Sequence, residues 1–188
     1  MVPTRQDALA LLKKYNQSES LLKHALSVEA VMRHFATLEG ENEEKWGIIG
    51  LVHDLDYEKY PEQHCTMTRK ILEEEQWPED YIRAVMSHGW GMCTDIEPEL
   101  FMEKVLFATD ELTGLITAAV LVRPSKSILD LTVKSVKKKW KVKAFAAGAN
   151  REIISKGVEM MGKELPDVIQ ETINGMQKVA SEIGLAGE

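Results

Sequence analysis

The chain has 188 residues, 44% of them hydrophobic, and a net charge of −7. That length and apolar content suit one compact domain, and the acidic balance argues against general binding to nucleic acid or anionic membranes. No apolar run is long enough to span a bilayer, no leader segment is visible at the start, and two cysteines, Cys65 and Cys93, form no disulfide framework, so the expected setting is a reducing cytoplasm.

The spacing predicts a first helix from Pro3 or Thr4 to Tyr15, broken at Asn16 and Ser18, which cap a second over residues 19–38. Leu21, Ala25, Val28, Val31, Met32 and Phe35 form one apolar stripe on that second helix; His24 lies on the stripe and His34 falls off it. Gly40 ends the helix. Asn42 caps a third, whose apolar run Gly47-Ile48-Ile49-Gly50-Leu51-Val52 ends on His53-Asp54. Residues 56–60 read as a loop. Pro61 is expected to open a fourth helix with His64, Met67, Ile71 and Leu72 on one face, and Pro78 a fifth with Tyr81, Val85 and His88 on one side. After a Gly-rich loop, Pro98 is expected to open a long sixth helix to about Val122, with Asp110 in apolar company. Arg123-Pro124-Ser125-Lys126 stops it. A basic segment, residues 134–143, precedes two last helices over 150–161 and 166–183. Strand alternation is almost absent, so the predicted class is all-α in one domain, with a core over about residues 18–122 and a helical extension over about 123–188.

Four of the five histidines sit at inward or helix-end positions: His24, His53, His64 and His88. Asp54 and Asp110 join them. Taken singly, each inward histidine is more often a hydrogen-bonded core residue, and each inward aspartate a cap or the partner of an arginine. Together they come from successive helices, and an unpaired carboxylate buried at Asp110 would be costly or neutralised. Imidazole and carboxylate are ordinary ligands of first-row divalent ions, which removes that cost. Cys65 and Cys93 stand close to histidines, which permits thiolate ligation, but free cysteine more often packs as a small hydrophobe.

The ordered series His24, His53-Asp54, Asp110 resembles the HD superfamily of metal-dependent phosphohydrolases, an all-helical fold. His64 and His88 are similar to the extra ligands of its two-metal variant. The resemblance implies that His24, His53, Asp54 and Asp110 bind one divalent ion, and that His64, His88 and Asp54 bind the other, with Asp54 bridging. The segment Ala84 to Gly114 looks like that of HD-type bacterial hydrolases that split diadenosine tetraphosphate. Thr109-Asp110-Glu111-Leu112-Thr113-Gly114-Leu115, Leu121-Val122-Arg123-Pro124-Ser125-Lys126 and Lys134-Ser135-Val136-Lys137-Lys138-Lys139, then Lys143-Ala144-Phe145-Ala146-Ala147-Gly148 with Asn150-Arg151, resemble a narrower set of small predicted HD hydrolases.

The implied activity is hydrolysis of a phosphate ester or anhydride of a nucleotide or other small phosphorylated metabolite, with His53 and Asp54 at the reacting centre. Two other readings use the same ligands. One is a mixed-valence di-iron oxygenase, by resemblance to myo-inositol oxygenase; the other is a non-catalytic HD module. Arg123 and Lys126 are expected either to clamp phosphate oxygens or to be solvated charges at a helix end. Lys137 to Lys139 read as a solvated face. Trp90 is read as core or as a stacking platform, and Asn150 and Arg151 as an anion contact or an ordinary cap. Glu111 and Thr113 are expected to orient ligands or water around Asp110.

Overall fold

The computed structural model describes residues 2–187. Among these, regular structure is helical: α1 (Arg5–Tyr15), α2 (Glu19–Glu39), α3 (Glu43–Val52), α4 (Thr66–Glu74), α5 (Glu79–Ser87), α6 (Phe101–Leu121), α7 (Val133–Trp140), α8 (Arg151–Met160) and α9 (Leu165–Gln177). No strand forms among the described residues; two isolated bridges, Trp90 with Thr94 and Ser127 with Ala186, only pin loops. The all-α expectation holds. Among the described residues no helix is long and apolar enough to cross a membrane.

Helix α2 is the axis of the bundle. It packs against α3, α6 and α9, so it is buried on more than the single stripe that its periodicity suggests. His34, off that stripe, is buried too: its Nε2 lies 2.6 Å from Glu171 of α9. Buried Glu29 ties the N-terminal helices together. It accepts from the guanidinium of Arg5 at 2.6 and 2.9 Å and from Arg33 Nε at 2.9 Å, while Arg33 also reaches Glu44 at 2.9 Å. A carboxylate this deep persists because both neighbours carry the opposite charge.

Several boundaries differ from the sequence expectation, each for a local reason. Pro61 opens only a 3₁₀ turn, Pro61–Gln63, and α4 starts at Thr66. Buried Asp56 intervenes: one carboxylate oxygen accepts Thr68 N–H at 2.8 Å, capping α4 from outside, and the other accepts from His64 Nδ1. His64 therefore sits in the link before the helix. At α2, Ser18 holds the cap position without a side-chain cap bond; Glu58 instead accepts the backbone N–H groups of Gln17 and Ser18 at 2.7 and 2.9 Å. Helix α6 begins at Phe101 rather than Pro98, where buried Glu103 reaches back to accept the N–H groups of Glu99 and Leu100. The basic segment contains α7, anchored by buried Val136, with Lys137 and Lys138 exposed. Helix α9 ends at Gln177 and the chain continues in turns.

The α6–α8 crossing fixes the face of α6 opposite the candidate ligands. Gly157 makes it possible: a Cβ there would lie 2.7 Å from Ala108 Cα and 2.6 Å from its Cβ. The obstacle is the backbone of a central helix and cannot swing aside. Gly157→Ala gains about 1 kcal/mol of helix propensity but forces the helices apart at a cost of about 3 kcal/mol. The expected outcome is a lower Tm in thermal unfolding; an unchanged or higher Tm would contradict this close crossing.

Candidate metal centre

Two helices end on a histidine in the same way. His53 caps the C-terminus of α3 and His88 that of α5. Carbonyls in a last helical turn lack intrahelical partners. His53 Nδ1–H supplies one to Gly50 O at 2.8 Å, and His88 Nδ1–H one to Val85 O. His64 Nδ1–H donates to Asp56 Oδ1 at 2.8 Å. His24 Nδ1–H faces Thr113 Oγ1 at 3.4 Å, and that hydroxyl donates onward to Asp110 O at 2.7 Å. All four rings thus spend Nδ1 on an outward acceptor, which leaves Nε2 as the inward atom.

The inward atoms gather in two groups. Nε2 of His24 and of His53 lie 3.0 and 3.2 Å from Asp110 Oδ1, and 3.7 and 3.4 Å from Asp54 Oδ2. Nε2 of His64 and of His88 lie 3.5 and 3.4 Å from the other oxygen, Asp54 Oδ1. Within each group the two imidazole Nε2 atoms stand 3.3 Å apart. Ligand atoms of His24, His53, Asp54 and Asp110 fall within 4.8 Å of one another, as do those of Asp54, His64 and His88. The sequence-predicted ligand residues therefore converge, and Asp54 belongs to both groups. The donor set of neutral imidazoles and carboxylates suits a divalent first-row ion in each group. Facing lone pairs at 3.3 Å need a positive charge between them, whether a proton or a metal ion.

Electrostatics follow the same geometry. Burial opposes protonation of His53, but Asp54 and Asp110 outweigh it and raise its pKa well above the ordinary imidazole value. Burial pushes Asp54 up, yet His53 and His88 hold it well below the carboxylate range; His53 and His24 do the same for Asp110. For His64, burial is outweighed by Asp56 and Asp54, and its pKa rises.

A cavity of about 520 Å³ opens onto both groups. Tyr57, Met92 and Glu111 line it together with the loop residues Ala146, Gly148 and Ala149. That loop is held by Arg151, whose guanidinium donates to the carbonyls of Trp140, Val142, Phe145, Ala146 and Ala149. Arg151 is thereby a backbone clamp. Asn150 caps α8 and donates its N–H to Glu111 Oε2 at 3.0 Å. Burial raises the Glu111 pKa, and Asp110 and Asp54 add to the effect against the Asn150 bond.

No known protein family, curated protein or solved structure matches this chain.

Arg123 and Lys126 do not line this cavity. Arg123 is engaged with Asp130, at 2.9 Å from its carboxylate and 3.2 Å from its carbonyl, and so closes the turn after α6. Trp90 packs against Phe107 beneath the ammonium of Lys156 and is also outside the cavity. The expectation of two separate thiols is corrected: Cys65 and Cys93 form a disulfide, with Cα atoms 6.1 Å apart, within the usual range for such a bond. Gly89 lets the sulfurs meet, since a Cβ there would lie within 2.6 Å of both. Sequence reasoning also missed Asp56 and Tyr57. The available signal for Asp56 was an acid two residues after Asp54, in a turn that leads to Thr68.

Protons and a metal ion compete for the same inward nitrogens. The raised His53 contributes ion-pair stability below about pH 6.5, lost as pH rises through its folded pKa. The depressed Asp54 and Asp110 contribute above about pH 4, lost as pH falls through their folded values. In metal-free protein this cluster therefore stabilises most between about pH 4 and 6.5. Metal uptake should release protons, with apparent affinity rising from about pH 6 to 8; titration calorimetry in two buffers of different ionisation enthalpy measures it. Affinity independent of pH would contradict the arrangement.

Proposed function

We propose that this chain is a metal-dependent phosphohydrolase of the HD type, acting on a phosphate ester or anhydride of a small metabolite. His24, His53, Asp54 and Asp110 would hold one divalent ion, and Asp54, His64 and His88 a second. The observation that carries this reading is the division of Asp54, one carboxylate oxygen facing each group. A carboxylate shared in this way suits a centre that works on one substrate with two ions.

Bound divalent ions supply Lewis acidity toward phosphoryl oxygens and lower the pKa of water toward neutrality. The chain's own residues set the conditions for that chemistry. Gly50, Val85, Asp56 and Thr113 fix the four rings through their Nδ1 atoms, so the inward nitrogens need no reorganisation on binding. Among the described residues the second group offers three protein donors, which leaves coordination positions for water and substrate. Asp54, Asp110 and Glu111 line the cavity and no lysine or arginine is among its described lining residues. Phosphate charge would thus have to be met by the ions, and metal-free protein should not bind substrate.

The test is an anaerobic assay of p-nitrophenyl phosphate with chelated protein reloaded with Mn²⁺ or Co²⁺. Hydrolysis should appear with metal, vanish on chelation and be lost in His24→Ala. Turnover that requires iron and dioxygen would overturn the phosphohydrolase reading in favour of oxygenation.

A further inference from the structure

A second cavity, of about 630 Å³, adjoins the first, and His24 and Gly114 line both. Gly114 stands one helical turn beyond Asp110 on α6, and a Cβ at that position would meet no heavy atom within 4 Å. The wall between the two spaces is open there. A molecule with one end at the ligand groups can pass Gly114 and extend along α2 and α6.

The second cavity has a polar side and an apolar side. From α2 come Ser20, Ser27 and the ion pair Glu19–Lys23, with Nζ 2.5 Å from the carboxylate. Thr117 adds a hydroxyl from α6. The Lys23 ammonium is seated against the turn at Gly184, where a Cβ would lie 2.9 Å from Nζ. Leu121, Ile183 and Leu185 form the apolar side. The paired carboxylate and ammonium can accept from and donate to neighbouring hydroxyl groups on one ligand. No Phe, Tyr or Trp is among the described residues that line this space, and the His24 imidazole is turned to the ligand groups, so it offers no broad platform on which a nucleobase would stack.

We propose that this cavity binds the non-reacting body of the substrate and that this body is a polyol or sugar. Its phosphate lies at the ligand groups, its hydroxyls meet Glu19, Lys23 and Thr117, and its C–H surface lies on Leu121 and Leu185. The proposal rests on the phosphohydrolase reading above and narrows its substrate class. Binding energy from such a remote part can be used to position the reacting phosphate.

Calorimetry on the Mn²⁺-loaded protein tests it, with inorganic phosphate and with the non-hydrolysable phosphonate analogues of glucitol 6-phosphate and adenosine 5′-monophosphate standing for the polyol phosphate and the nucleotide. The polyol phosphate should bind at least about tenfold more tightly than inorganic phosphate, as two or three added hydrogen bonds would give. It should also outbind the nucleotide. Thr117→Trp fills the second cavity from α6 without touching the ligand groups, and Leu121→Trp does so from an exposed position should the first variant fold poorly. Either should erase the polyol advantage and leave inorganic phosphate binding in place. Equal binding of the polyol phosphate and inorganic phosphate by the unmodified protein, or an advantage that survives both variants, would overturn the proposal, as would tighter binding of the nucleotide. If none of the three binds, the phosphohydrolase reading itself fails and takes this proposal with it.

Discussion

Four imidazole rings are turned so that their inner nitrogens crowd two carboxylates, and each is held there by a bond on its outer nitrogen. Gly50 O, Val85 O, Asp56 and Thr113 are the four outer partners. Both carbonyls lie in a last helical turn, where Val85 O otherwise accepts the His88 N–H at 3.4 Å. The same bonds that finish α3 and α5 therefore aim His53 and His88. This local economy places positive charge at a premium in the interior, and much of the surrounding structure keeps the rings from relaxing away from it.

The bundle supplies that rigidity from several directions. Helix α2 brings His24 from a position packed between α3, α6 and α9. Asn16 donates from its buried amide to Leu55 O at 2.9 Å, pinning the turn that follows His53-Asp54 to the end of α1. Asp56 caps α4 and orients His64 in one stroke. The Cys65–Cys93 bond joins the segment after His64 to the turn after His88. The C-terminal third adds a wall: Arg151 gathers the carbonyls of the 140–149 loop, and Glu111 holds the start of α8 against α6.

Much of this could be read from the chain. Apart from α7, the helices and most of their ends followed from apolar spacing, from Asn42 and from Pro78. The convergence of His24, His53, Asp54, His64, His88 and Asp110 was legible in their order along the chain, although His64 precedes α4 instead of lying on its face. What escaped were contacts whose partners lie far apart in sequence. The bonds from Glu58 and Asp56 leave no local signature at Ser18 or Thr66, so α2 looked capped by its own serine and the true start of α4 was missed. Arg123 and Arg151 each read as an anion contact or as an ordinary helix-end residue, because a guanidinium reads the same in sequence whether it meets a phosphate, a carboxylate or backbone carbonyls. Only the fold shows that one meets Asp130 and the other a loop. The pairing of Cys65 with Cys93 likewise depends on Gly89, whose missing side chain has meaning only once both sulfurs stand beside it.

Metal content per chain, measured on protein prepared without added metal and again after reloading, bears most directly on the shared role of Asp54. Reloaded protein should carry two ions, Asp54→Ala none, and His64→Ala one. Full metal content in folded Asp54→Ala would contradict a centre in which one carboxylate serves both groups.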